Sequence, residues 1–182
     1  MNSPSIEQNR ASYLLLSGSH AATQTENPII ARLSTKSKRM VLRCGNRFKV
    51  FPLARELRNV TPMVTTSLNN IGVAWAFSCY QVVSLLSGFS ILPDYVVVLD
   101  LLSTFFDENV SIVERKRLLL ESIVHLRRLS VPPPVLVTTQ PLASVKEPAL
   151  NELKIVLVSS AKSFYKYNLL NQRPWILRNY GQ

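Results

Sequence analysis

Apolar residues in this chain fall into short, dense blocks separated by polar or proline-containing stretches. Tyr95-Val-Val-Val-Leu-Asp100 is the sharpest of them, a run without alternation that ends on a carboxylate. β-Branched and aromatic residues in unbroken succession suit a strand covered on both faces, as inside a parallel sheet. Ser12 to Ser17, Met40 to Cys44, Ile71 to Trp75 and Val135 to Thr138 share that character and predict further strands. An aspartate closing such a strand stands where open α/β sheets hold their ligands. The plainer reading is a core strand with a solvated carboxylate at its tip.

The segments between these blocks predict helices. Pro28 suits the first turn of one running through Ile29, Ile30 and Leu33, with Lys36, Lys38 and Arg39 complementing its negative end. Pro52 opens a short helix to Arg58, and Phe77 to Leu86 forms an apolar one closed near Gly88. Ser111-Ile-Val-Glu114 has the form of a capping box, followed by Ile112, Leu119, Ile123 and Leu126 at helical steps as far as Leu129. Gly18 to Thr25 and Gly45-Asn46 read as loops, and Pro132 to Pro134 break the chain. Lys154 to Val158 and Ser163 to Tyr167 read as an antiparallel strand pair, with a weaker tail through Trp175 and Tyr180.

Strands alternating with helices and then a strand pair predict an α/β fold. Its sheet is mostly parallel, flanked by helices, with antiparallel strands at the C-terminal edge. The expected organisation is a flexible N-terminus over 1–11, a core domain over 12–170 and a tail over 171–182.

Composition narrows the function classes. The hydrophobic fraction of 47% with 18% charged residues belongs to a chain that builds a core. No apolar run reaches the roughly 18–20 residues that span a bilayer, and the N-terminus lacks a signal-peptide pattern, so a cytoplasmic protein without a membrane partner is expected. Cys44 and Cys79 have no metal-ligand spacing and read as reduced core thiols. The net charge of +10 is uneven: residues 1–60 hold ten Lys and Arg against three acids, while 61–110 hold none against four. An anionic partner follows, nucleic acid being the commonest and DNA the expected one, although a basic membrane-contacting surface or an acidic protein gives the same balance. Lys36, Lys38, Arg39, Arg43, Arg47 and Lys49 are the candidate nucleic-acid contacts, the plainer reading being a solvated helix and strand end. Tyr165, Tyr167, Trp175 and Tyr180 interleave with Lys162, Lys166, Arg173 and Arg178; they could stack bases, cover the sheet or dock a partner.

The first predicted strand runs into a loop and then a helix, the setting of a phosphate-binding loop. Gly18 and Thr25 keep the outer positions of that pattern, but its second glycine and lysine are absent. His20, in the same loop, could meet a phosphate or simply be solvated.

With Y-V-V-V-L-D (95–100), V-L-V-T-T-Q (135–140), A-W-A-F-S-C-Y-Q (74–81) and the long helix from Glu114 to Leu129, the order of elements resembles the RecA/RadA recombinase superfamily. Asn46-Arg-Phe48 and Leu53-Ala-Arg55 resemble the turn and helix after that family's second strand. The likeness spans residues 12–160, roughly. It implies a degenerate nucleotide site of Gly18, Gln24, Thr25, Asp100 and Gln140, with Gln24 where the family has its lysine and Gly45 where it has the carboxylate that activates water. Asp100 and Thr25 match the magnesium-side positions, and Gln140 matches the residue that senses the terminal phosphate. Losing the lysine and the base removes the phosphate cation and the group that orients water, so efficient ATP hydrolysis is not expected. The loops that carry DNA in active recombinases are short here, at Asp107 to Val110 and Pro141 to Pro148.

The resemblance therefore implies a non-catalytic RecA-like accessory protein of DNA recombination or repair, binding DNA, a RecA/RadA-family protein or another heteromeric partner. No catalytic residue, metal site or resident cofactor is expected, ATP with Mg²⁺ being the ligand of an intact site. Two alternatives stay open: an atypical ATPase completed in trans, and a scaffold acting only through protein contacts.

Overall fold

The computed structural model describes residues 13–18, 22–44, 50–89, 94–130, 135–140, 148–166 and 175–177. The strands are β1 (Leu14–Ser17), β2 (Arg39–Cys44), β3 (Ile71–Ala76), β4 (Tyr95–Leu99), β5 (Leu136–Thr139), β6 (Ser163–Lys166) and β7 (Trp175–Leu177). The helices are α1 (Ala22–Ser34), α2 (Val50–Val60), α3 (Val64–Asn69), α4 (Cys79–Ser87), α5 (Ile112–Leu129) and α6 (Pro148–Ser159), with a 3-10 helix over Leu101–Phe106. One sheet holds all seven strands in the order β3-β2-β4-β5-β1-β6-β7. Strands β1 to β6 are joined by parallel pairings, and β7 runs antiparallel to β6.

The unbroken apolar run of β4 follows from its central place. Val96 and Val98 pack with α4, α5 and α6, whereas Val97 and Leu99 pack with α1 and α2. A strand covered on both faces has no solvent side to keep polar. Two helical layers thus sandwich the sheet: α4, α5 and α6 form one with Phe105 and Leu119, and α1, α2 and α3 the other with Ile30, Leu53 and Leu57. In α5 the Ser111 hydroxyl accepts from the Glu114 N–H at 3.3 Å, satisfying a first-turn donor.

Three expectations are corrected. Residues 154–158 lie within helix α6, where Leu150, Leu153, Lys154 and Leu157 are buried at helical intervals. A β-branched run carries both periods, and burial on one helical face decides between them. β6 consequently pairs in parallel with β1. Helix α1 begins at Ala22, so Thr23, Gln24 and Thr25 belong to the helix and not to a loop, with Pro28 inside it. The short α3 carried no signal strong enough to be read.

Tyr13 fastens the sheet to α6: its hydroxyl donates to the Leu157 carbonyl at 2.6 Å, and its own carbonyl accepts from the Lys162 N–H at 3.0 Å. Burial pushes the Tyr13 phenol well above its usual range. Among the described residues no helix is long and apolar enough to cross a membrane.

Candidate functional site

Parallel strands bring their carboxyl ends to one edge of the sheet, and the polar groups gather there. The register sets Ser17 opposite Thr139 and Arg43 opposite Leu99. The Gly18 N–H donates to the Thr139 carbonyl at 3.2 Å, and the Ser17 hydroxyl donates to the Gln140 carbonyl at 3.3 Å. Gln140 Nε2 donates to Asp100 Oδ2 at 3.1 Å. Three of the positions drawn from the resemblance, Gly18, Asp100 and Gln140, therefore sit on adjoining strand ends. Gln24 and Thr25 lie in the first turns of α1, and their side chains fall outside the described set, as do His20 and Gly45.

Asp100 turns the chain sharply. Its φ of 53° and ψ of 48° place it in the left-handed region, uncommon for a residue with a side chain and most accessible to Asn and Asp. That conformation stops β4 and starts the 3-10 helix, whose Ser103 N–H donates to the Asp100 carbonyl at 3.0 Å. The Ser103 hydroxyl then reaches the Cys44 carbonyl at 2.8 Å, tying the turn to the end of β2.

Beneath this edge runs a chain of contacts that pattern reading did not find. The Asp100 N–H donates to Thr138 Oγ1 at 3.0 Å, and the Thr138 hydroxyl donates onward to Glu26 Oε1 at 2.6 Å. Glu26 is buried on α1, and burial raises its pKa against the lowering effects of Thr138 and Arg43; Asp100 raises it further. Arg43 is buried on the neighbouring strand, where desolvation lowers its pKa and the charges of Glu26 and then Asp100 pull it back up. A signal for Glu26 did exist: it precedes Ile30 by four residues, so it is an acid on the apolar stripe of its helix.

The basic group separates on the structure. Lys36 and Lys38 are exposed, at the amino end of the sheet and thus away from Asp100, while Arg47 and Lys49 fall outside the described residues. Arg39 and Arg43 are not surface groups. Arg39 is buried, stacks its guanidinium 4.0 Å from the Tyr95 ring centroid, and donates to the Lys38 carbonyl at 2.9 Å, to the Leu33 carbonyl and to the Ser37 hydroxyl. These bonds occupy both Nη atoms and keep the guanidinium inside the fold, away from a surface phosphate. Arg43 is buried within the electrostatic reach of the carboxylates just described. The aromatic-and-basic tail beyond residue 163 lies outside the described side chains.

The donor set at Asp100 does not suit a bare divalent ion. Arg43 is buried near enough for the charges of Glu26 and Asp100 to act on it, and an ion bound at these carboxylates would face its positive charge at low dielectric. Burial, with Asp100 nearby, pushes the Cys44 thiol far above its usual range, so this thiol is not a nucleophile. Among the described residues no group of three His, Cys, Asp or Glu could hold a metal ion. No family model matches the chain, and no curated protein matches it either.

Proposed function

We propose that this chain is a RecA-like accessory protein of DNA recombination or repair that binds nucleic acid without hydrolysing ATP efficiently. The non-hydrolysing part is supported by the strand-end chemistry, where the charges near Asp100 among the described residues are those of the buried Glu26 and Arg43.

One observation carries the nucleic-acid part. The α1–α2 layer exposes Arg32, Lys36, Arg55 and Arg58, none of them in an ion pair among the described residues. On the opposite layer Lys116 pairs with Glu152, and Arg117 pairs with Glu114 and Glu121 at 2.7 and 2.9 Å. Arg128 is spent there as well, on the Leu86 and Ser87 carbonyls that end α4. Arg127 on that layer is also exposed without an ion pair among the described residues, but four such cations gather on the α1–α2 layer, and their concentration suits a polyanion that releases counterions on binding. Phe51, 90% exposed, lies one helical turn before Arg55, so the same stripe offers a ring to an unstacked base.

A second reading has its own observation. Among the described strands β3 is an edge; Val73 and Trp75 on it and Phe77 just after it are exposed, and the Trp75 and Phe77 rings stack at 6.4 Å between centroids. An open ladder edge with apolar side chains suits a protein partner that adds a strand, which fits a heteromeric assembly.

Fluorescence anisotropy with single- and double-stranded oligonucleotides at two salt concentrations, beside an ATP turnover assay, tests the proposal. The expected result is salt-steep DNA binding with no turnover above the Asp100→Asn background. Salt-independent or absent DNA binding, or brisk turnover, overturns it.

A further inference from the structure

We infer that Arg43 is the resident cation of the strand-end site, standing where a nucleotide-binding protein of this architecture would take a divalent ion. The inference deepens the proposed function and rests on its non-hydrolysing half.

Arg43, Leu99 and Thr138 share the sheet face that α1 covers: Arg43 is in register with Leu99, Leu99 packs in the α1–α2 cluster, and Thr138 reaches Glu26 of α1. Arg43 is only 4% exposed and Glu26 only 7%, so neither charge is solvated by bulk water. A buried acid and a buried base on facing elements offset part of each other's desolvation, and removing one strands the other. Asp100 joins them through the Thr138 hydroxyl, which accepts from its backbone and donates to Glu26, while Gln140 holds its carboxylate. The result is a site whose positive charge is covalently part of β2 and cannot dissociate. Its consequence is a fixed α1: the first helix after β1 is held to the sheet by Glu26, whatever ligand is present.

The test uses the full chain and two linked measurements. Thermal unfolding with Mn²⁺ or Mg²⁺ at millimolar concentration, with and without ATP, reads whether a divalent ion still enters. The expected midpoint is unchanged, and a metal-dependent rise that Asp100→Asn abolishes overturns the inference. A double-mutant cycle of Arg43→Met with Glu26→Gln reads the pairing itself. Arg43→Met alone should lower the midpoint by about 10 °C, because it strands a buried carboxylate, and adding Glu26→Gln should restore a substantial part. Strictly additive shifts would overturn the pairing. Should Arg43→Met fail to fold, Arg43→Gln/Glu26→Gln against Glu26→Gln supplies the same comparison: the penalty for removing Arg43 must be small once Glu26 is neutral, and a large one overturns the inference. DNA titration of the same preparations keeps the two ideas apart. Lost DNA binding with the coupling intact sinks the functional proposal and leaves this inference standing.

Discussion

Asp100 joins two demands that substitution can separate, a carboxylate for Gln140 and a left-handed backbone at the end of β4. Alanine and glycine both delete the carboxylate, so the difference between them isolates the backbone. At φ 53° and ψ 48° a Cβ-bearing residue pays about 1–2 kcal/mol, whereas glycine pays nothing there. Glycine also loosens the unfolded chain, which returns about 0.5–1 kcal/mol of that advantage. Asp100→Gly should thus be more stable than Asp100→Ala by about 0.5–1 kcal/mol. With a urea m-value of about 2 kcal/mol per molar, the glycine midpoint lies about 0.25–0.5 M above the alanine one. Asp100→Asn, tolerant of the left-handed region and still able to accept from Gln140, should lie above both. Urea titrations followed by far-UV circular dichroism at constant pH read these midpoints. An alanine variant as stable as glycine, with unchanged m-values, would refute the claim that the turn is conformationally enforced.

Three further outcomes follow from the same geometry. Tyr13→Phe deletes the donor to the Leu157 carbonyl and leaves a buried acceptor unsatisfied, so the urea midpoint should fall by the equivalent of about 1–3 kcal/mol. Because Glu26 has a folded pKa raised above 4.5, the folded state binds its proton more tightly than the unfolded one. Its contribution to stability is then fullest below that value and is lost as pH rises through the folded pKa. Urea midpoints from pH 5 to 8 should accordingly decline less steeply in Glu26→Gln than in the parent chain. Neutralising Arg32, Lys36, Arg55 and Arg58 together to Gln should lower the slope of log affinity against log salt by about 3 for single-stranded DNA, with thermal stability within a few degrees of the parent.

The sequence exposed the parallel strands because burial on both faces forces unbroken apolar runs, and β4 with its terminal Asp100 is the clearest case. It exposed α5 because Ser111 and Glu114 mark a helix start chemically. It misplaced residues 154–158 because Ile155, Val156 and Val158 favour strands locally, while the burial of Leu150, Leu153 and Leu157 on one face is a tertiary fact. At the site, Asp100 was legible through its position at a strand end, while Gly18 came from the phosphate-loop pattern and Gln140 from the resemblance; the three sit on adjoining strand ends. Glu26 was passed over: its place four residues before Ile30 marks an acid on the apolar stripe, but the Thr138 hydroxyl that it meets there is a tertiary fact. Arg39 and Arg43 were misjudged for the same reason. Charge counts treat a guanidinium on a central strand like one on a helix surface, yet only the latter reaches a partner.

The position of β1 has a consequence for how the chain is made. Leu14–Ser17 lies between β5 and β6, whose residues are synthesised more than a hundred positions later. While the chain emerges from the ribosome, this first strand waits without either ladder neighbour, and its apolar side chains wait with it. Pairings this distant in sequence carry a large entropic cost before they are rewarded, placing folding in the slow regime of non-local topologies. Chains halted before β5 should consequently be retained by chaperones or lost to proteases, with release coming only once the last third has been translated.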